Sequence, residues 1–228
     1  MTTHLTTATP SLTDSEMYFK MLGFTKVSAS PVLFSDGKAL VEIDPDRFAR
    51  PGIKIHRASW SDLLGDLEPF GPIHERGSTR VVAAPSGTWV YLVEGDAPAP
   101  DSAASAEPSV LGSYAGISME TTRMADSLRF WELFGFTVLA GGADQGWLSM
   151  ADADGFSISL MAPFACPHMF RNPSLTYFNS GSNPEIIAEI RRREIPILEE
   201  VTVFNKSGEV DNVILEEPGG CGFFVFND

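Results

Sequence analysis

The sequence predicts an α+β fold of four tandem βαβββ units, paired into two domains with curved mixed sheets. Three observations predict it. A helix end, a glycine and a strand start are spelled twice, as FKMLGFTKV over 19–27 and WELFGFTVL over 131–139. The order strand, helix, strand, strand, strand can be read four times along the chain. The stretch GDAPAPDSAASAEPSVLGS, 95–113, has little to bury and reads as a linker between two pairs of units. One such unit has a half-sheet with an apolar face and cannot close alone; two side by side bury that face around a cleft.

The elements follow in order. THLTTATP is a short threonine-rich strand. Thr13 and Glu16 are spaced as a capping box, with Leu12 and Met17 as a hydrophobic staple, and Gly23 stands where a left-handed helix end is wanted. FTKVSAS, PVLFSDG and KALVEID complete the first unit. GIKIHRASW, the short helix SDLLGDLEPFG, an indistinct piece around Ile73, RVVAAPSG and TWVYLVE make the second. YAGISMETT opens the third, and MADSLRFWELFG is its helix, with Met124, Leu128 and Trp131 on one stripe. FTVLAGG, GWLSMADADG and FSISLMAP follow. SLTYFNS opens the fourth, where Asn183 is placed to cap a helix with Pro184 in its first turn and Ile186, Ile187 and Ile190 on its buried face. IPILEEVTVF, VDNVILEEPGG and GFFVFND finish it. The expected domains are 1–96 and 114–228, joined by 97–113, with unit boundaries near 47–52 and 163–173.

Charge and composition exclude several classes. The formal charge is −14, with 30 acids against 16 bases, a surface that repels nucleic-acid phosphates and anionic lipid. No run of eighteen apolar residues is present to span a membrane. The N-terminus lacks the basic start and apolar run of a secretory signal. Two cysteines make no disulfide framework, so a reduced, cytoplasmic protein is expected, as a monomer or homodimer.

The junctions FKMLGFTKV and FWELFGFTVL, with the endings AAPSGTWVYLVE and LEEPGGCGFFVF, resemble the vicinal oxygen chelate superfamily, which includes glyoxalase I, extradiol dioxygenases and bleomycin-resistance proteins. The resemblance covers almost the whole chain and implies glyoxalase-like domains. It leaves function open, because the fold hosts lyases, oxygenases, isomerases and simple binders.

Metal-using members of that superfamily place ligands inside the cup, from the first and last strands of each unit. On this pattern the resemblance implies His4, Glu42 and His56 as metal ligands. Strand alternation agrees: His4 shares a face with Thr6 and Ala8 while Leu5 points toward the helix, and Val41 and Ile43 flank Glu42. Ile53 and Ile55 turn His56 the same way. The family's fourth ligand falls on Tyr91, which is not an acid, or on Glu94, which needs a bulge to reach the cup; these two are the candidate catalytic residues. Trp60, Glu120, Trp147, Ser149 and Tyr177 are the candidate substrate contacts. In the second half the ligand positions carry Gly116, Ser159, Tyr177 or Phe178, and Phe224, so that cup is expected to be degenerate. Its aromatic lining offers either a flat apolar site or ordinary core. His74 and His168 are expected in loops.

Two functions stand against each other. In the first, a divalent Fe, Zn, Ni or Mn ion on His4, Glu42 and His56 supports lyase, isomerase or dioxygenase chemistry on vicinal oxygens. In the second, the protein binds a small molecule without metal, in the manner of antibiotic sequestration, and its acidic surface favours a cationic ligand. A vestigial, structural role for both cups is the third reading.

Overall fold

A strand with one face in a core must send every second side chain the other way, and the first strand shows how completely this holds. In the computed structural model, which describes residues 1–98 and 106–227, Thr3, Leu5 and Thr7 point inward while His4 and Thr6 line the opposite face. The first unit is β1 (Thr2–Ala8), α1 (Leu12–Met21), β2 (Thr25–Ala29), β3 (Val32–Ser35) and β4 (Leu40–Asp44). The second is β5 (Gly52–Arg57), α2 (Leu64–Leu67) running into a 3₁₀ turn (Glu68–Phe70), β6 (His74–Arg76), β7 (Thr79–Ala83) and β8 (Trp89–Glu94). The third is β9 (Tyr114–Glu120), α3 (Met124–Leu133), β10 (Thr137–Gly142), β11 (Trp147–Ala151) and β12 (Ser157–Met161). The fourth is β13 (Ser174–Phe178), α4 (Asn183–Arg192), β14 (Glu199–Val201), β15 (Asn212–Glu216) and β16 (Gly222–Phe226).

Two eight-stranded sheets result, ordered β2-β3-β4-β1-β5-β8-β7-β6 and β10-β11-β12-β9-β13-β16-β15-β14. The second order repeats the first strand for strand. In each, the opening strands of two units pair antiparallel at the centre, and each pairs parallel with the last strand of its own unit. The four-unit α+β architecture read from the sequence is therefore present, with two mixed, open sheets.

The helix ends depart from the sequence reading in detail. The cap of α1 is Ser11, whose Oγ accepts from the Asp14 amide at 3.4 Å, and not Thr13. Glu16, freed from a capping box, pairs with Lys26 at 2.6 Å. Gly23 does end the helix at φ 87°, with the Phe24 amide reaching back to the Phe19 carbonyl at 2.9 Å. Asn183 does not cap α4: fully buried, it donates to the carbonyls of Asp211 and Val225 and accepts from Asn179, tying the helix start to the sheet. His74, expected in a loop, lies exposed on the edge strand β6. Residues 99–105 of the expected linker lie outside the described residues. Its far end is packed: Leu111 is fully buried, and the Val110 amide donates to the Leu22 carbonyl at 2.9 Å.

The inner faces of both sheets and the helices share one apolar core. Phe223 of β16 meets Tyr18, Phe19 and Phe24 of the first unit, with ring centroids 5.9 to 6.4 Å apart. Trp60 and Phe70 meet Phe134 and Phe130 of the third unit in the same way. Polar groups caught in this seam are paired across it. Thr3 donates to Asp152 at 2.9 Å, the Tyr177 hydroxyl to Asp36 at 2.7 Å, and Thr7 and Ser15 both donate to the carboxylate of Glu217. The clustering of side chains in one core leaves the outer faces of the sheets for the cups.

Two outcomes are expected. Phe223→Ala removes a ring that both halves enclose, and should cost about 3–5 kcal/mol; urea unfolding followed by probes in each half should show both transitions shifting together. Burial pushes the Glu217 carboxyl above the usual glutamate range, against the opposing hydrogen bonds from Thr7, Gly219, Cys221 and Ser15. The folded state then holds that proton more tightly than the unfolded chain, so this group's contribution to stability is present at low pH and is lost as pH rises from the ordinary glutamate range. Glu217→Gln should flatten that part of the decline, measured as urea midpoints from about pH 4 to about pH 7.

Candidate functional site

On the outer face of the first sheet, β4, β1, β5 and β8 lie side by side, and alternation sends Glu42, His4, Lys54, His56 and Tyr91 outward from it. Val41, Ile43, Ile53 and Ile55 fill the core behind them. A cavity of about 550 Å³ opens over this face. Its wall includes Glu42, Lys54, His56, Tyr91, Arg76 and the carboxylates of Asp44, Asp46 and Asp96.

The structure brings His4, Glu42 and His56 together. His4 is fully buried and its Nε2 donates to Glu42 Oε2 at 3.1 Å. The His4 and His56 rings stack with centroids 5.3 Å apart and planes 22° from parallel. The other carboxylate oxygen, Glu42 Oε1, accepts from Lys54 Nζ at 2.6 Å, and Lys54 also lies 3.6 Å from Asp44. Burial alone would raise the Glu42 carboxyl, but the His4 hydrogen bond and the Lys54 ammonium outweigh it and hold it below its ordinary value. Burial, and then the neighbouring His4, push His56 down to about 4, so it is a neutral imidazole near pH 7. His4 Nδ1 is buried without a hydrogen-bond partner among the described residues, while His56 has a backbone hydrogen bond to Asp96.

This set does not fit a divalent ion. The His4 nitrogen nearest the carboxylate donates a proton to it, and both carboxylate oxygens are engaged, one by an ammonium. No group of three His, Cys, Asp or Glu side chains is arranged to hold a metal among the described residues.

The remaining sequence candidates divide. Tyr91 lines the cavity, but its hydroxyl donates to the Arg50 carbonyl at 2.9 Å and accepts from the Arg50 amide at 3.1 Å. It is a latch on the segment between β4 and β5, not a free proton relay, and burial raises its phenol further. Glu94 is excluded from the cup: the β5–β8 ladder runs without a bulge, so Glu94 projects away from the face that Tyr91 occupies and pairs with Arg80 at 2.8 Å. Trp60 is fully buried in the shared core, its indole donating to the Val93 carbonyl at 3.1 Å, so it cannot contact a ligand in the cup. Tyr177 is likewise core, because Leu175 and Tyr177 take the inner face of β13 and leave Thr176 outward. Glu120, at the outward-facing end of β9, accepts from the Phe164 amide at 2.9 Å and lines a separate cavity of about 610 Å³ with Phe164, Phe170 and Asn172. Trp147 and Ser149 do face outward on the second sheet, opposite Leu148 and Met150.

The second cup is filled from above. Phe224 and Ile214, with Val201, form a separate apolar cluster on that face, and Phe170 packs on Phe224 at 4.9 Å between centroids. His168, on the connection between β12 and β13, stands edge-on to Phe224 and Phe226 at 5.2 and 5.0 Å. The aromatic residues there are packed on one another and form no open aromatic slot.

Structural comparison places this architecture. A catechol 2,3-dioxygenase matches with a TM-score of 0.57 and 13% identity, over 99% of this chain and 86% of that one. The 2,3-dioxygenase LapB from Pseudomonas sp. KL28 matches with a TM-score of 0.58 and 12% identity, over 99% and 91%. Homoprotocatechuate 2,3-dioxygenase from Arthrobacter globiformis gives 0.57 and 11%, over 99% and 78%. The chain shares the fold of these dioxygenases. At these identities the likeness is one of fold. No protein-family model and no curated protein matches the sequence.

Within this scaffold, sequence reasoning overlooked Lys54. The signal was available: it precedes His56 by two residues and so must share its face. Asp44 and Arg76 reach the same cavity, Asp44 by the same parity from Glu42. Tyr91→Phe removes both latch hydrogen bonds, and should cost about 1–2 kcal/mol and speed hydrogen exchange at the Arg50 amide. An unchanged exchange rate would contradict the latch.

Proposed function

We propose that the first cup binds a small organic molecule bearing a cationic group, and that it does so without a metal ion. One observation supports this above the rest: the carboxylate at the centre of the cup is already neutralised by the chain's own Lys54, 2.6 Å away. The cation of the site is a fixed side chain, so the superfamily's use of a cup to grip paired oxygens on an ion has no counterpart here.

The preference for a cation follows from the walls. Glu42, Asp44, Asp46 and Asp96 line the cavity against Lys54 and Arg76. Lys54 is shared between Glu42 and Asp44, and Arg76 pairs with Asp46, so four carboxylates against two cations leave the lining net negative. The formal charge of −14 adds long-range attraction for cations. Tyr91 turns the face of its ring to Lys54, and neutral His56 lines the cavity beside them. A cavity of about 550 Å³ suits a ligand of drug-like size.

A second reading, a metal-dependent lyase, isomerase or dioxygenase, retains one favourable observation. Buried ring nitrogens without a side-chain partner among the described residues lie on His4 and His56. Such nitrogens are what a metal would use, although the carboxylate beside them is taken.

Calorimetric titration with chelator present separates the two. A panel of cationic aromatic amines and anionic or neutral catechols is titrated into the protein. Micromolar binding of a cationic member is expected, weakened about 3–10-fold by Asp44→Asn together with Asp96→Asn. Binding confined to catechols and dependent on added metal would reject the metal-free cup and favour the second reading.

A further inference from the structure

The two open sheets have four edge strands among the described residues, and the unpaired backbone groups of an edge invite another strand to add to it. Three of the four edges carry charge. β2 has Lys26, β6 has Glu75 and Arg76, and β14 has Glu199 and Glu200. β6 and β14 are also short, with three residues each. β10 is the exception: six residues, Thr137–Gly142, none of them charged, paired only with β11 among the described residues.

The matching edge of the first half shows what β10 lacks. Lys26 stands 112 residues before Val138, the interval that also separates Gly23 from Gly135. Lys26 lies opposite Phe34, on the helix side of its sheet, and reaches Glu16 of α1 at 2.6 Å. Val138 lies opposite Met150, again on the helix side, and the counterpart of Glu16 is Leu128 of α3, which packs at the margin of the core. The guarding ion pair of β2 is thus a pair of apolar side chains at β10. Both strands bulge at the next residue, but Val27 at the first bulge is 4% exposed and Leu139 at the second is 64% exposed. At the far end of the edge Trp147, 47% exposed, lies against Gly141, where a Cβ would meet its ring at 3.0 Å.

We propose that β10 is the surface by which two copies of this chain associate, edge to edge and antiparallel about a two-fold axis, with Val138 and Leu139 at the centre and Trp147 at the flanks. Charge selects a second copy as the occupant. Two chains that each carry −14 repel over most of their surfaces and meet most readily where charge is absent. A basic partner would be drawn to acids, and this edge offers it none. The first charge beyond the strand is Asp144, at one end of it, so an antiparallel pair holds the two Asp144 side chains at opposite ends of the joined ribbon. A two-fold contact also needs a patch that matches itself, which an uncharged strand with its own backbone donors and acceptors supplies.

Sedimentation equilibrium of the full chain at physiological salt tests this. The wild type is expected to be a dimer with a micromolar dissociation constant. Leu128→Glu together with Val138→Lys transplants the ion pair of the first half, and is expected to weaken the dimer at least about 30-fold. Leu139→Lys alone, at an exposed position, is expected to do the same, and serves should the double variant not fold by circular dichroism. Hydrogen exchange at the amides of 137–142 is expected to slow with rising concentration in the wild type and not in Leu139→Lys. A wild type that stays monomeric up to about 1 mM would overturn the inference. So would a dimer that a folded Leu139→Lys chain retains unweakened, since its contact would then lie on another surface.

Discussion

The structure depends on a constraint of period two. Every central strand buries one face in a core shared by both halves, so its alternate residues must leave by the other face whatever their chemistry. Leu5, Val41, Ile53 and Ile55 are anchored inward by helices and by the second sheet, and that anchoring aims His4, Glu42, Lys54 and His56. A one-residue slip in β5 would exchange two isoleucines for a lysine and a histidine in an apolar layer. The packing of the core thus fixes the register of the cup, and the two halves reinforce each other because Phe223, Trp60 and Phe70 each close a seam between them.

The same scaffold yields two different outer faces. In the first sheet the outward positions are polar and leave a cavity. In the second, Phe224 and Phe226 take positions equivalent in alternation, opposite inward Phe223 and Val225, and the long connection before β13 lays His168 and Phe170 on them. An outward phenylalanine on a sheet must find cover, and a connecting segment supplies it at low cost because it has no sheet register to keep. Duplication supplied two cups; side-chain chemistry kept one open.

Much of this was legible in the sequence, for identifiable reasons. The unit order was readable because each unit carries its own punctuation, a glycine after the helix and a turn before the last strand. His4, Glu42 and His56 were readable because branched apolar neighbours on both sides left them one direction to face. What escaped was any property set by reach. Lys54 reads as an ordinary strand lysine until its four-carbon stem is seen to cross a strand to Glu42. The Tyr91 hydroxyl looks free until an irregular segment returns Arg50 to it. Tyr177 was misplaced because Tyr177 and Phe178 are equally plausible by composition, and the Asp36 carboxylate in the other half is what lets the Tyr177 hydroxyl be buried. The capping of α1 was misplaced by two residues for a local reason: Ser11 and Thr13 are both good caps, and Thr9 binds Ser11 to fix the choice.

The Glu42–Lys54 pair carries a cost that clarifies its role. Two charges drawn mostly out of water lose hydration that their mutual attraction recovers only with good geometry and further hydrogen bonds. Glu42 meets that requirement, with one oxygen on Lys54 and the other on His4. Lys54 meets it with Glu42 at 2.6 Å and Asp44 at 3.6 Å, beneath the face of Tyr91. His56, drawn out of water on the wall of an open cavity, has a backbone hydrogen bond to Asp96 and no side-chain partner among the described residues. A fold stabilised for its own sake would place an apolar side chain there, as the second sheet does with Phe178 at the matching position. The first sheet thus keeps an ion pair and an imidazole where the matching positions of the second carry Thr176 and Phe178, and that difference in side chains accompanies a cavity over the first face.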